Sequence, residues 1–174
     1  MNRERILAAA EEVFGTQGEA GSTEEVARLA GVGIATVFRH FPTKEDLISA
    51  TLVRHFDQLT SRAHALAAGD PATAWRTLVR ELIKTGATKL TLGSILRDVP
   101  TDAFTASRRL KTAVSDILQQ ARDVGAVRPS VTVEEVYLLI RGLAQATATQ
   151  PTPTSTLDSA IDVVLTGLSH PTKI

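Results

Sequence analysis

Ser22–Ala30 reads STEEVARLA, and Gly31–Leu47 continues as GVGIATVFRHFPTKEDL. Ser22 followed by Glu25 is a capping box, a serine acceptor for the third helical amide with a glutamate that reaches back. It opens a short helix carrying Val26, Leu29 and Ala30, which Gly31 stops. A second short helix covers about Ile34 to His40, and Pro42 closes it because the residue before proline avoids the α region. Thr43-Lys44-Glu45-Asp46 then caps a long helix with Ile48, Leu52, Phe56, Leu59, Ala63 and Leu66 on one face. Upstream, Ile6, Leu7, Ala10, Val13 and Phe14 form the apolar stripe of a helix from about Arg3 to Thr16, with Gly18 as its stop. Three short helices, the last two joined by Gly31-Val32-Gly33, predict a helix-turn-helix over about 22–41.

The same punctuation continues outward. Asp70-Pro71 starts a fifth helix, faced by Trp75, Leu78, Val79, Leu82, Ile83 and Leu90. Gly93 and Pro100 bracket a short sixth piece around Ile95 and Leu96. Thr101-Asp102 opens a seventh with Phe104, Leu110, Val114, Ile117 and Ala121, and Thr132-Val133-Glu134-Glu135 caps an eighth. Ser155 opens a ninth, carrying Leu157, Ala160, Ile161, Val164, Leu165 and Leu168. The expectation is therefore an all-α protein of about nine helices. An N-terminal part with the helix-turn-helix occupies 1–59, which reads either as a DNA-binding head or as ordinary three-helix packing, and a helical bundle occupies 60–174.

Composition fits that class. The chain has 174 residues, 43% hydrophobic and 22% charged, with 19 basic and 19 acidic side chains. Absent cysteine excludes a disulfide framework and a thiol nucleophile. No apolar run is long enough to span a bilayer, which predicts a cytoplasmic protein with no membrane partner. The four histidines (His40, His55, His64, His170) include no i, i+4 pair for a helical zinc site, and neither a nucleophile elbow nor a P-loop occurs. No enzymatic activity, metal or cofactor is expected.

Charge in the first part is unusual for a DNA reader. Within Met1–Ala50 there are five cations (Arg3, Arg5, Arg28, Arg39, Lys44) against eight anions, a formal balance of −3. Arg39, His40 and Lys44 nevertheless gather around the end of the third helix. Few ion pairs imply a modest dependence of DNA affinity on salt. Helical phase puts Val37 and Phe41 in the core and leaves Thr36 and Arg39 exposed. For Ile34 and Phe38 it leaves two readings open, core packing or apolar contact with thymine methyl groups.

The stretch STEEVARLA–GVGIATVFRHFPTKEDL resembles the reading head of the TetR family of bacterial transcriptional regulators, chiefly through Phe38-Arg39-His40-Phe41, Lys44 and Asp46-Leu47 at fixed spacing after Ala30-Gly31-Val32. The resemblance implies that Thr23, His40 and Lys44 touch phosphates. It aligns Ile34, Ala35, Thr36 and Phe38 with groove-facing positions beside Arg39. Phe38 replaces the family's usual tyrosine. Gly33 stands where serine or threonine is common, so the third helix should lack a side-chain cap.

The family also implies double-stranded DNA with a palindromic operator as partner, a homodimer, a small and largely apolar effector, and repression by default. The eighth helix carries Leu138, Leu139, Gly142 and Ala146 off its main stripe. With Ile161 and Leu165 of the ninth they are the dimer candidates. Phe56, Trp75, Phe104, Tyr137 and Thr147 are the pocket candidates, although aromatics at helical spacing are more often core than pocket, and Gly86 would leave space among them. A helical adaptor that binds only protein is the alternative, and it predicts no DNA affinity.

Overall fold

The computed structural model describes residues 2–169. Helix α1 (Asn2–Gln17) is followed by a 3-10 turn (Gly18–Ala20), α2 (Thr23–Ala30), α3 (Ile34–His40) and α4 (Lys44–Ala67). Then come α5 (Pro71–Ile95), α6 (Thr101–Asp123), α7 (Val133–Thr149) and α8 (Thr154–Leu168). Among the described residues there is no strand.

The helix starts obey the sequence. Ser22 Oγ accepts from the Glu25 amide at 3.1 Å, and Asp70 from the Thr73 amide at 2.8 Å. At α4, Thr43 Oγ1 accepts from the Asp46 amide while the Asp46 carboxylate accepts from the Thr43 amide, each at 3.0 Å. Thr132 and Glu135 make the same reciprocal pair at α7. At α2 only half of the box forms, because the Glu25 carboxylate lies 3.9 Å from Arg28 one turn on. The expected sixth piece is not a separate helix, so eight α-helices replace the nine expected among the described residues. Gly93 is accommodated inside α5, which runs on to Ile95; an interior glycine costs about 1 kcal/mol, less than packing its neighbour Leu92 returns.

Two compact units divide the chain: residues up to Gln58 with Ala87–Arg108, and Leu59–Gly86 with the residues from Arg109 on. In the first, Ile6, Leu7, Ala10, Val13 and Phe14 of α1 pack in a core with Val26, Ala27 and Ala30 of α2, Val37 and Phe41, and Leu47, Ile48, Leu52 and Phe56 of α4. Leu29 is the exception: it is 41% exposed, since α2 turns Ala27 rather than Leu29 toward α1. Gly15 lets α5 approach α1, for an added Cβ would stand 2.7 Å from the Thr88 methyl.

The second unit is built on Trp75, Leu78, Leu82 and Ile83 of α5, Leu110, Val114, Ile117 and Ala121 of α6, Val136, Ile140 and Ala144 of α7, and Ile161, Leu165 and Leu168 of α8. Gly86, expected to leave room, instead permits a tight crossing of α5 and α7: a Cβ there would lie 2.6 Å from that of Ala144.

Candidate nucleic-acid interface

Helix α3 is seven residues long and buries only Val37, with Phe41 closing the core just beyond it. Val37 is 0% exposed and Phe41 4%, whereas Ile34 is 37% and Phe38 43% exposed. The two ambiguous apolar residues therefore face outward with Ala35, Arg39 and His40, while Thr36 is half-buried between the two faces. Two large apolar side chains at i and i+4 on one exposed helix face are costly in water unless something covers them. The geometry suits the edges of bases in a major groove. Gly33 is the N-cap and makes no side-chain cap bond, as its identity predicts. Gly31, at φ +63°, supplies the left-handed residue that turns α2 into α3.

Thr23 is half-buried at the start of α2, its hydroxyl 3.3 Å from Glu24. Lys44 has a role the sequence did not suggest. Its ammonium donates to the carbonyls of Glu19 (2.8 Å) and Gly21 (2.7 Å) and lies 5.2 Å from the centre of the Phe14 ring. It thus clips the first turn of α4 to the segment that leads into α2.

The first unit also holds a polar cluster that periodicity does not reveal. His55, read only as a non-ligating histidine, is 4% exposed, and its Nδ1 lies 2.8 Å from Glu11 Oε1. The other Glu11 oxygen accepts from Arg54 at 2.6 Å, and Arg54 also reaches Glu4 at 2.6 Å. The hydrogen bond from His55, with the adjacent Arg54, holds the Glu11 carboxyl below its ordinary value despite partial burial. α1 is thereby bonded to the middle of α4.

The pocket candidates fall in different surroundings. Phe56 and Trp75 are buried, at 4% and 2%. Phe104 is 57% exposed, which corrects its placement on a core stripe: α6 buries Ala103 and Ala106 there instead. Thr147 bonds back to the carbonyls of Leu143 and Ala144. Tyr137 keeps its hydroxyl buried with no hydrogen-bond partner among the described residues, and desolvation pushes the phenol up to about 12. Of the dimer candidates, Leu138 (69% exposed), Leu139 (38%), Gly142 and Ala146 stand on the surface of α7. Ile161 and Leu165 do not: at 0% and 1% they belong to the core of the unit, and the exposed apolar residue of α8 is Val163.

The first three helices form a helix-turn-helix head with an exposed reading helix, which defines a DNA-binding regulator. Comparison with known proteins agrees. Residues 6–51 match the family described as "Bacterial regulatory proteins, tetR family", and residues 70–170 match "Transcriptional regulator SbtR-like, C-terminal domain". A TetR transcriptional regulator from Streptomyces coelicolor is 32% identical, covers 97% of this chain and 99% of its own, and superposes with a TM-score of 0.85. A TetR regulatory protein from Mycobacterium vanbaalenii is 27% identical over 97% of this chain and 95% of its own, with a TM-score of 0.79. The chain belongs to the TetR family of bacterial transcriptional regulators. Among curated proteins, the HTH-type transcriptional activator FasR of Mycolicibacterium smegmatis is 42% identical over 60 residues, 34% of this chain. The HTH-type transcriptional regulator LuxR of Vibrio harveyi is 38% identical over 63 residues, also 34% of this chain. The chain spans only 27% and 31% of those two relatives. No helix among the described residues is long and apolar enough to cross a membrane.

Proposed function

We propose that this protein is a homodimeric, sequence-specific operator-binding repressor whose head, 1–59, reads DNA and whose remaining part, 60–174, dimerises and takes a small, largely apolar effector. The observation that carries the reading is the exposure of Ile34 and Phe38 beside Arg39 on a helix whose other face is sealed by Val37. In that reading Thr36 and Arg39 select bases, Ile34, Ala35 and Phe38 meet thymine methyls, and Thr23, His40 and Lys44 sit at phosphates. The exposed strip Leu138, Leu139, Gly142 and Ala146 of α7, extended by Val163 of α8, serves as the subunit interface. The unpaired Tyr137 hydroxyl favours an effector with one hydrogen-bonding group on an apolar body, since a buried hydroxyl without a partner costs about 1–3 kcal/mol.

Release follows from a population shift. α4 begins in the first unit and ends in the second, so an effector that binds better to one tilt of α4 changes the spacing of two heads that must stand about 34–36 Å apart. Fluorescence-anisotropy titration against short duplexes tiling the DNA upstream of its own gene, with excess competitor, tests the reading. Tight binding of one dimer to one tile supports it, and equal, salt-erased binding to every tile contradicts it. Thr36→Ala is expected to change preference at one base pair by about 1–3 kcal/mol.

A further inference from the structure

The head carries three more anions than cations up to Ala50, so which of its cations are unpaired decides where DNA can be gripped. Arg28 lies 3.9 Å from Glu25, and two of the three Lys44 ammonium donors go to backbone carbonyls, leaving one for a phosphate. Arg3, Arg5 and Arg39 are exposed and, among the described residues, have no carboxylate within ion-pair distance. Arg39 is on α3 itself. Arg3 and Arg5 are on the first turn of α1.

Their positions relate them to α3. The Arg3 guanidinium lies 5.4 Å from the centre of the Phe41 ring, immediately after the last residue of α3. The Arg5 guanidinium lies against Gly31, so close that an added Cβ would stand 2.6 Å from its Nη2. The two cations therefore stand by Gly31, which opens the turn into α3, and by Phe41, which follows it; the seven-residue helix between is roughly 10 Å long, comparable with a major groove about 12 Å wide. The carboxylate between them in sequence, Glu4, is held at 2.6 Å by Arg54 and so does not neutralise either. Contact with a ring for Arg3 and with a glycine that has no side chain for Arg5 also positions each guanidinium before any ligand arrives, which lowers the ordering cost of binding.

We propose that Arg3 and Arg5 are backbone-phosphate contacts of the reading head, one by Phe41 after α3 and one by Gly31 before it, and that they offset its negative formal charge. This rests on the DNA-binding reading above. The test uses the full chain, a duplex recovered by the wild-type protein from a randomised library, and a scrambled duplex of the same length. Arg3→Gln and Arg5→Gln should each weaken both duplexes by a similar factor, roughly tenfold at low salt. Each should also make the log-affinity against log-salt slope shallower by about 0.9 per lost contact, or about 1.8 for a dimer with two heads. Arg3→Lys and Arg5→Lys should restore most of the affinity and the slope, which separates a phosphate contact from damage to the fold. Gln variants with wild-type affinity and slope would overturn the proposal alone, as would a loss confined to the selected duplex. Wild-type protein that retained no duplex at all would overturn the DNA reading, and this proposal with it.

Discussion

Two networks of arginine and carboxylate tie helices together here, one in each unit, and they differ in how far water reaches them. In the first, Glu11 of α1 bonds Arg54 and His55 of α4, whose side chains are only 16% and 5% exposed. In the second, Arg80 and Lys84 of α5 bond Asp158 and Asp162 of α8 at 2.6–3.1 Å, but those aspartates are 37% and 56% exposed. The distances are nearly the same. Burial separates them: surface pairs contribute roughly 0–1 kcal/mol and are screened by salt, whereas breaking a desolvated cluster strands its remaining members. The first network thus fixes how α1 meets α4, while the second mainly gives α5 and α8 a polar seam.

Glu11→Ala should have the largest effect. It leaves Nδ1 of His55 without a partner in the core and should cost about 3 kcal/mol in denaturant unfolding. A loss below about 1 kcal/mol would put both networks in one class. Acid gives an independent check. The Glu11 carboxyl is depressed below its ordinary value of 4.5, chiefly by the His55 hydrogen bond. Its stabilisation is therefore complete above about pH 4.5 and is lost as pH falls through the lower folded value. The stability gap between wild type and Glu11→Gln should close over that interval.

A smaller effect calibrates the scale. Thr132→Ala removes an exposed but neutral cap from α7 and should cost about 1 kcal/mol by thermal melting. Smallest of all, Asp162→Asn should shift the melt slightly at low salt and not at all in 1 M salt, while the Glu11→Ala deficit persists there. If salt erased both deficits alike, burial would not be the distinction.

Much of the head is legible in its residues because local chemistry specifies it. Ser22, Thr43 with Asp46, Asp70 and Thr132 announce four helix starts, since each offers an oxygen to an amide two or three residues on. Val37 and Phe41 are readable as core from phase alone. Phe104 and Leu29 are not, because periodicity names a stripe but not its edge: a neighbouring alanine takes the buried place where helices approach closely. Ile161 and Leu165 were legible as apolar, yet whether an apolar face meets its own chain or a second one is set by partners distant in sequence. The Lys44 clip and the Glu11–His55 bond join residues 23 to 44 positions apart, and no local pattern encodes such pairings.

The succession of helices, the turn between α2 and α3, and through them the family can be read from the residues alone, because caps, glycine stops and apolar phase act within one or two turns of chain. Direction is a tertiary outcome: Ile34 and Phe38 turn outward, His55 turns inward, and Arg3 and Arg5 lie by Phe41 and by Gly31, after and before α3. Those outcomes depend on which helix lies across which, and the burial of a side chain is a property of its neighbours in space rather than of its neighbours in sequence.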